Sequence, residues 1–255
     1  MMKVSDQPSI AVIIVVLNGE KTLKRAIESV IHQTYANCQL IIVDGGSTDS
    51  TLEIIQPYVS RTSYFNSQKD NGIYDAMNHA LGQCKADWCL FIGCDDVLVD
   101  CLHLVAQKLT DTRSVYYGNV FWRSNGSKCC GRFSKFKLIY RNICHQAIFY
   151  PRACFDKEYD TAYRYLADYK YNIELWGAGV KFNYLDMIIA DYNDLGLSSA
   201  GDAKFWKIKA RLLSENLGVW TGALCRFVDL FAPLYRRIKR VRNRGVLQGP
   251  ESSAR

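Results

Sequence analysis

"IAVIIVVLNGEKTLKRAIESVIHQTYANCQLIIVDGGSTDS" runs from Ile10 to Ser50. Its opening run, Ile10 to Leu17, is unbroken, apolar and mostly β-branched, which reads as a strand buried on both faces of a parallel sheet. Lys21 to Gln33 follows with Leu23, Ile27, Val30 and Ile31 at helical spacing. Leu40 to Val43 is a second buried strand. It ends in Asp44, Gly45 and Gly46, where the glycines make a turn and Ser47 or Asp49 suits the cap of a helix ending near Pro57.

The pattern continues outward. Tyr64 to Ser67 reads as a third strand and Gly72 to Cys84 as a helix with Ile73, Ala76, Met77, Ala80 and Leu81 inward. Trp88 to Ile92 is a fourth strand. Strands alternating with helices at this spacing define an α/β fold with a mostly parallel sheet flanked by helices. After Leu109 the order changes. "SVYYGNVFW" reads as a strand, "GSKCCGRFSKF" as a basic turn, and "CHQAIFYP" as another strand. Thr161 to Trp176 is expected as a helix with Ala162, Leu166, Tyr169, Ile173 and Trp176 inward, Lys181 to Ala190 as a last strand, and the chain as helical from Ala203.

The chain has 255 residues, 49% apolar and 22% charged, which suits one sizeable domain with or without an appendage. Most of the ten cysteines sit in or beside apolar segments, where a free thiol acts as a small hydrophobe. No CxxC pair occurs, and the adjacent Cys129 and Cys130 are poorly placed to share a metal, so the expectation is reduced thiols in a cytosol and no zinc. Ile10 to Leu17 is too short for a signal peptide and lacks a cleavage pattern, and no run is long enough for a spanning helix. The net charge is +7, and most of the excess lies in Arg226, Arg236, Arg237, Lys239, Arg240, Arg242 and Arg244, opposed by Asp229. The body is therefore near neutral, which argues against nucleic acid and for a local basic patch.

The strand ends carry the chemistry. Strand one ends in "LNGE", strand two in "DGGS" and strand four in "GCDD". The carboxyl ends of parallel strands share one edge, and ligands bind in the crevice there. Asn18, Asp44, Asp95 and Asp96 should therefore converge. Adjacent carboxylates after a buried run are unfavourable unless a cation sits with them. Oxygen ligands of this kind suit Mg2+ or Mn2+, ions that commonly arrive with phosphates. Each of these residues taken alone is as well explained as a turn or cap; their joint placement carries the reading.

Two segments, "VIIVVLNGEKTLKRAIESVIHQTYANCQLIIVDGGSTDST" and "DNGIYDAMNHALGQCKADWCLFIGCDD", resemble the family 2 glycosyltransferases with the GT-A fold. The resemblance covers roughly the first 110 residues, and "CHQAIFYP" and "YLADYKYNIELWGAG" extend it less strongly. Members that carry "DNGIYDAMN" are typically bacterial enzymes of surface-polysaccharide assembly, O-antigen and colanic-acid types included.

The resemblance implies roles. Asp44 would hydrogen-bond the nucleotide base, usually uracil, with Asn18 and Glu20 lining the same pocket. Asp95 would face the ribose and metal, and Asp96 would ligate the metal. Where the family often has "DxDD" this chain has "GCDD", with Gly93 at the first position. Asp75 and Asn78 lie on a polar helical face that the resemblance puts beside the donor, and a solvated face explains them equally well. Lys69 and Asp70 lie on a nearby loop. Inverting transfer needs a carboxylate base; Asp168 in "LADYKYN" matches that position, with Asp156, Glu158 and Asp160 as rivals. His145 and Gln146 follow the basic Arg132, Lys135, Lys137 and Arg141 and would meet the diphosphate or the acceptor.

The implied activity is inverting transfer of a hexose-type sugar, from a nucleotide-diphosphate donor of the UDP-sugar kind, to a hydroxyl of a lipid-linked saccharide. The expected organisation is a catalytic domain over residues 1–200, divided near 110 into a donor half and an acceptor half. An amphipathic helical segment over 201–244 and a disordered tail over 245–255 would follow. Trp220, Leu224, Phe227, Val228, Phe231, Leu234, Ile238 and Val241 recur at helical spacing beside arginines, as in helices that lie on anionic membranes. Such a helix packed on the domain is the alternative. The expected location is the cytoplasm, peripheral on the inner face of the cytoplasmic membrane. A dinucleotide-dependent oxidoreductase would want GxGxxG after strand one, where this chain has "LNGEKT". A non-catalytic nucleotide-sugar binder would have lost the acidic pair or the base, and this chain keeps both.

Overall fold

The computed structural model describes residues 7–194 and 201–231. In chain order the elements are β1 (Ile10–Val16), α1 (Leu23–Ile31), β2 (Cys38–Asp44), α2 (Thr51–Ile55), β3 (Tyr64–Ser67), α3 (Ile73–Gln83), β4 (Trp88–Gly93) and β5 (Val97–Leu98). Then come α4 (Leu102–Ala106), β6 (Ser114–Trp122), β7 (Ser127–Cys129), β8 (Ile148–Pro151), α5 (Ala167–Gly177), β9 (Lys181–Tyr192) and α6 (Ala203–Leu217). A further helix, α7, occupies 219–231.

The strands form one sheet in the order β3-β2-β1-β4-β8-β6-β9-β5, with β7 paired to β6. The first four are parallel to one another. Antiparallel β8 joins β4 to β6, and β6 runs parallel to β9. The α/β architecture is the expected one, with the parallel pairing concentrated in the first half.

Strand periodicity builds the core. Ala11, Ile13, Val15, Ile41, Val43 and Phe91 face one layer with residues of α3, α5 and α6. Ile10, Val12, Ile14, Leu40, Ile42 and Leu90 face the other, with residues of α1 and α4. Successive side chains of a strand leave on opposite faces, so a strand covered on both sides must be apolar throughout. The register then sets the site. Val16 pairs with Asp44, Asp44 with Ser67, and Val15 with Gly93, so four strands end side by side.

Several local expectations differ. In α3 it is Tyr74 that is buried, whereas Ile73 is exposed. Ser47 does not cap α2, because its hydroxyl is turned to Asp44. "CHQAIFYP" becomes a strand only at Ile148, after a single 3-10 turn over His145–Ala147. Helix α5 begins at Ala167 rather than Thr161, and Ala162 is exposed. The segment before it is held instead by Asp202, whose carboxylate accepts from the Arg164 and Tyr165 amides.

That tie also changes the view of the C-terminal segment. Helix α6 is part of the body. Phe205 is fully buried and stacks on Tyr169 with ring centroids 4.9 Å apart. Helix α7 buries Thr221 and Cys225, and Gly222 lies so close to α6 that a Cβ there would meet the Ala210 carbonyl at 2.4 Å. The basic residues Arg236 to Arg244 and the tail 245–255 lie outside the described residues.

Candidate functional site

The loops after β1 and β2 are laced together. The Asn18 amide donates to Ser47 Oγ at 2.7 Å, and the Thr48 amide donates to Asn18 Oδ1 at 2.9 Å. Asn18 takes φ 55° to make this turn, a conformation asparagine tolerates better than most residues. The Gly19 amide donates to Thr51 Oγ1, the Glu20 amide to Asp49, and the Ser50 amide to the Glu20 carboxylate. The side chains of Asn18 and Glu20 thus sit at the edge, exposed.

Asp44 is fully buried. Its carboxylate accepts from the Gly46 and Ser47 amides at 3.1 and 3.0 Å, from the Ser47 hydroxyl, and from Ser67 Oγ at 2.7 Å. A buried anion is tolerated only with such a complement of donors. Asp44 therefore shapes the Gly45–Ser47 loop, which packs against Lys69 and Asp70: a Cβ on Gly45 would meet Asp70 Oδ2 at 2.5 Å. Burial, with Asp75 and Asp44 nearby, raises the Asp70 carboxyl above its ordinary value.

Asp75 closes the start of α3, accepting from the Asn71 amide at 2.9 Å. Asn78 has a different partner. Its Nδ2 donates to the Tyr159 carbonyl and its Oδ1 accepts from the Tyr159 amide, both at 2.9 Å. This side chain joins α3 to the segment before α5 and has its amide fully engaged there. Asn78→Ala would leave both Tyr159 groups unpaired, a loss of about 1–3 kcal/mol. The expected result is a lower melting temperature with donor affinity nearly unchanged; calorimetry and donor titration would separate this from a donor-binding role, which predicts the reverse.

The acidic pair follows β4. Asp96 is 1% exposed. Its Oδ1 accepts from the Asn193 amide at 2.7 Å, its Oδ2 from the Gly93 amide at 3.1 Å, and the Gln146 side chain also donates to it. Asp95 accepts from Asn193 Nδ2 at 2.7 Å, and its carbonyl from Arg123 at 2.7 Å. Burial first, and the neighbouring Asp95 charge as well, push the Asp96 carboxyl up to about 6 against these hydrogen bonds. Among the described residues no lysine or arginine forms an ion pair with either carboxylate. Gly93 has a steric role here, because a Cβ on it would meet Asp96 Oδ2 at 2.6 Å and Asp95 Oδ1 at 2.9 Å.

Asp168 sits in the first turn of α5, 7% exposed, where the helix dipole favours an anion. Tyr74 Oη donates to its Oδ1 at 2.6 Å and Asn142 Nδ2 to its Oδ2 at 2.7 Å. Burial and the Asp168 charge hold the Tyr74 phenol well above its ordinary value, so it stays a donor. Between the two acidic centres lie His145 and Gln146. The His145 ring stacks on Phe91 with centroids 4.7 Å apart, and its Nε2 lies 3.0 Å from Tyr159 Oη. Burial lowers its pKa while the Asp168 charge pulls the other way. Of the rivals, Asp160 pairs with Lys170 at 3.6 Å, and Asp156 and Glu158 are exposed.

Four supporting residues escaped the sequence reading: Asn193, Arg123, Asn142 and Tyr74. Tyr74 stands inside "DNGIYDAMN", whereas the others lie in segments whose only signal is position after a strand or in a loop.

A mixed sheet whose parallel half ends in paired acids, with a buried carboxylate on a helix of the second half, is the arrangement expected of a glycosyltransferase with the GT-A fold. The chain matches the family described as Glycosyl transferase family 2 over residues 11–165, and it belongs to that family. A Mycobacterium bovis (strain BCG / Pasteur 1173P2) protein named PGL/p-HBAD biosynthesis glycosyltransferase is 35% identical over 225 residues, covering 83% of this chain and 87% of that one. Among solved structures, S. aureus TarS 1-349 in complex with UDP-GlcNAc superposes with a TM-score of 0.66 at 19% identity, covering 81% of this chain and 65% of that one. The mannosyltransferase PcManGT from Pyrobaculum calidifontis, in complex with GDP-Man and Mn2+, gives 0.63 at 12% identity, covering 98% and 84%. The chain spans 43% of a longer TarS structure.

Proposed function

We propose that the chain is an inverting, metal-dependent hexosyltransferase that uses a UDP-sugar and glycosylates a lipid-linked acceptor in assembly of a cell-surface polysaccharide. The observation that carries this is the buried Asp96, its carboxyl pushed up beside Asp95 with no cationic partner among the described residues. An acid in that position fits a divalent cation, and Asp96 with Asp95 would hold Mn2+ or Mg2+. Such an ion, when bound, supplies positive charge to the leaving diphosphate.

The other roles belong to the chain. Asn18, Glu20 and Asp75 line the donor side, and Asp44 orders the loop against which the base would sit. Tyr74 and Asn142 aim Asp168, whose oxygens each keep a lone pair to take the acceptor hydroxyl's proton. His145, whose pKa burial lowers, and Gln146 lie between the donor and acceptor halves. Release of nucleoside diphosphate from a panel of nucleotide sugars, scored with and without a chelator, tests the reading. No release from any sugar nucleotide would overturn it, and retention of anomeric configuration in the product would overturn the inverting mechanism.

Helix α7 supports the membrane part. It packs on α6 through one face and leaves Val219, Trp220, Phe227, Leu230 and Phe231 exposed on the rest. Among the described residues no helix is long and apolar enough to cross a membrane. A surface-lying helix followed by the arginines from Arg236 onward suits anionic lipid at the inner face of the cytoplasmic membrane. Trp220→Ser with Phe227→Ser should reduce sedimentation with anionic vesicles severalfold and leave the fold intact, because both side chains face solvent. Wild-type binding should also weaken as salt rises. Equal sedimentation of variant and wild type would remove the membrane role.

A further inference from the structure

Cys129 ends β7 and Cys130 follows it. Neighbouring side chains on a strand point to opposite faces, which is why adjacent cysteines read as unable to share a ligand. The structure reverses this. Cys130 takes φ 102°, one of only two positive values at a non-glycine residue among the described residues. The backbone turn swings its side chain back, and the two Sγ atoms lie 3.3 Å apart. Cys144 brings a third sulfur from the far end of the following loop, 3.1 Å from that of Cys130 and 4.0 Å from that of Cys129. All three cysteines are free. A non-glycine residue held at such a φ costs on the order of 1–3 kcal/mol, and such strain concentrates at functional positions.

The surroundings are cationic. Arg141 Nη2 donates to Cys129 Sγ at 2.7 Å, with its guanidinium 5.1 Å from the centre of the Trp122 ring. The Lys137 ammonium donates to the Cys130 carbonyl. Three sulfurs with donors of positive charge form an environment suited to thiolates.

We propose that Cys129, Cys130 and Cys144 form a trithiolate site for one Zn2+ ion, separate from the carboxylate site. Zn–S bonds of about 2.3 Å put sulfurs on one tetrahedral ion about 3.8 Å apart. The present spacings bracket that value, so loading needs only sub-ångström movement. Three thiols lose three protons to solvent, and three thiolates on Zn2+ leave one net negative charge facing Arg141. Among the described residues no histidine or carboxylate completes the cluster, so the fourth position is open to water or a small ligand. Cys129 and Cys130 are buried and Cys144 is half-buried.

The location gives the site a consequence. Cys144 lies between Asn142, which holds Asp168, and Gln146, which holds Asp96. A metal there staples the β6–β7 hairpin to the segment that positions both acids. Thiolates select soft ions and carboxylates hard ones, so the two sites should load independently.

Cobalt titration of the full chain, purified under a phosphine reductant, tests the proposal. A thiolate-to-Co2+ charge-transfer band should saturate at one ion per chain and vanish on addition of Zn2+. Co2+ bound at Asp95 and Asp96 has oxygen ligands and gives no such band. Cys144→Ser removes a ligand and should weaken binding by more than the roughly 10–100-fold typical of losing an outer-shell partner. The triple variant Cys129→Ser, Cys130→Ser, Cys144→Ser should abolish the band, and Cys38→Ser should retain it. Absence of the band in fully reduced wild-type protein would overturn the site, whatever the folding of the variants. So would an unchanged band in the triple variant. Air-exposed protein two hydrogens lighter and cross-linked at Cys130–Cys144, whose reduced form takes no Co2+, would make the cluster a redox pair instead.

Discussion

Asp96→Asn should lower transfer by about 10³-fold or more and remove the response to Mn2+. Interaction of a metal with developing negative charge is worth several kcal/mol, and each 1.4 kcal/mol is tenfold in rate. The asparagine keeps the volume and one acceptor for the Asn193 amide but sets its NH2 against the Gly93 amide, a loss of about 1–3 kcal/mol, so circular dichroism of the variant accompanies the assay. The pH dependence follows from the raised carboxyl. Asp96 titrates near 6 in the fold against 3.8 ordinarily. The folded protein therefore holds this proton more tightly than the unfolded chain. The resulting stabilisation is fully present below pH 3.8 and is lost as pH rises through about 6. Above that, the proposed divalent cation would take the proton's place. The Mn2+-induced rise in melting temperature should be large at pH 7.5, shrink as pH falls through about 6, and vanish in Asp96→Asn. Wild-type-like Mn2+ stabilisation in the variant, or transfer that resists a chelator, would refute the assignment.

Asp168→Asn should cut turnover by about 10²-fold or more, the lower end of what general base catalysis contributes, with donor affinity nearly unchanged. Size and shape are kept and basicity is lost. Asp168 is held by Tyr74 and Asn142 at 2.6 and 2.7 Å, so its position is defined by partners from α3 and from the loop before His145. Tyr74→Phe removes one of them and leaves the base, so it should lower turnover less than Asp168→Asn does. Single-turnover kinetics with saturating donor measures the step directly. If donor affinity falls in Asp168→Asn while turnover of bound donor holds, the residue positions the donor and the base lies elsewhere.

The buried strands and the edge they share were legible from Ile10 to Asp96, because a parallel strand covered on both faces is apolar at every position and its end is marked by the first polar residue. Asp44, Asp95 and Asp96 stand where that reading put them. The reading of Asn78 as a donor residue did not anticipate Tyr159, a contact across 81 positions that no local pattern encodes. Ala162 and Leu166 keep helical spacing, which predicts a longer α5 than the helix that begins at Ala167. Asp202 draws the preceding segment into a turn instead, through the Arg164 amide at 2.7 Å. The amphipathic pattern of α6 likewise carries no information about which apolar surface it covers, and only the packing of Phe205 on Tyr169 makes it part of the body.

Sequence alone determined the fold class, the strand ends and the family, since these depend on periodicity and on contiguous motifs. Tertiary structure alone decided how the acids are held: Asn193 from the end of β9 clamps both Asp95 and Asp96, and Asn142 and Tyr74 hold Asp168 from two separate elements. It also brought Cys144 to Cys129 and Cys130, whose adjacency argued against a shared ligand until the turn at Cys130 placed the sulfurs together. Local pattern records which face of an element is apolar; which polar groups meet across the interior depends on the sheet register and the helix packing, and those are set by the whole chain at once.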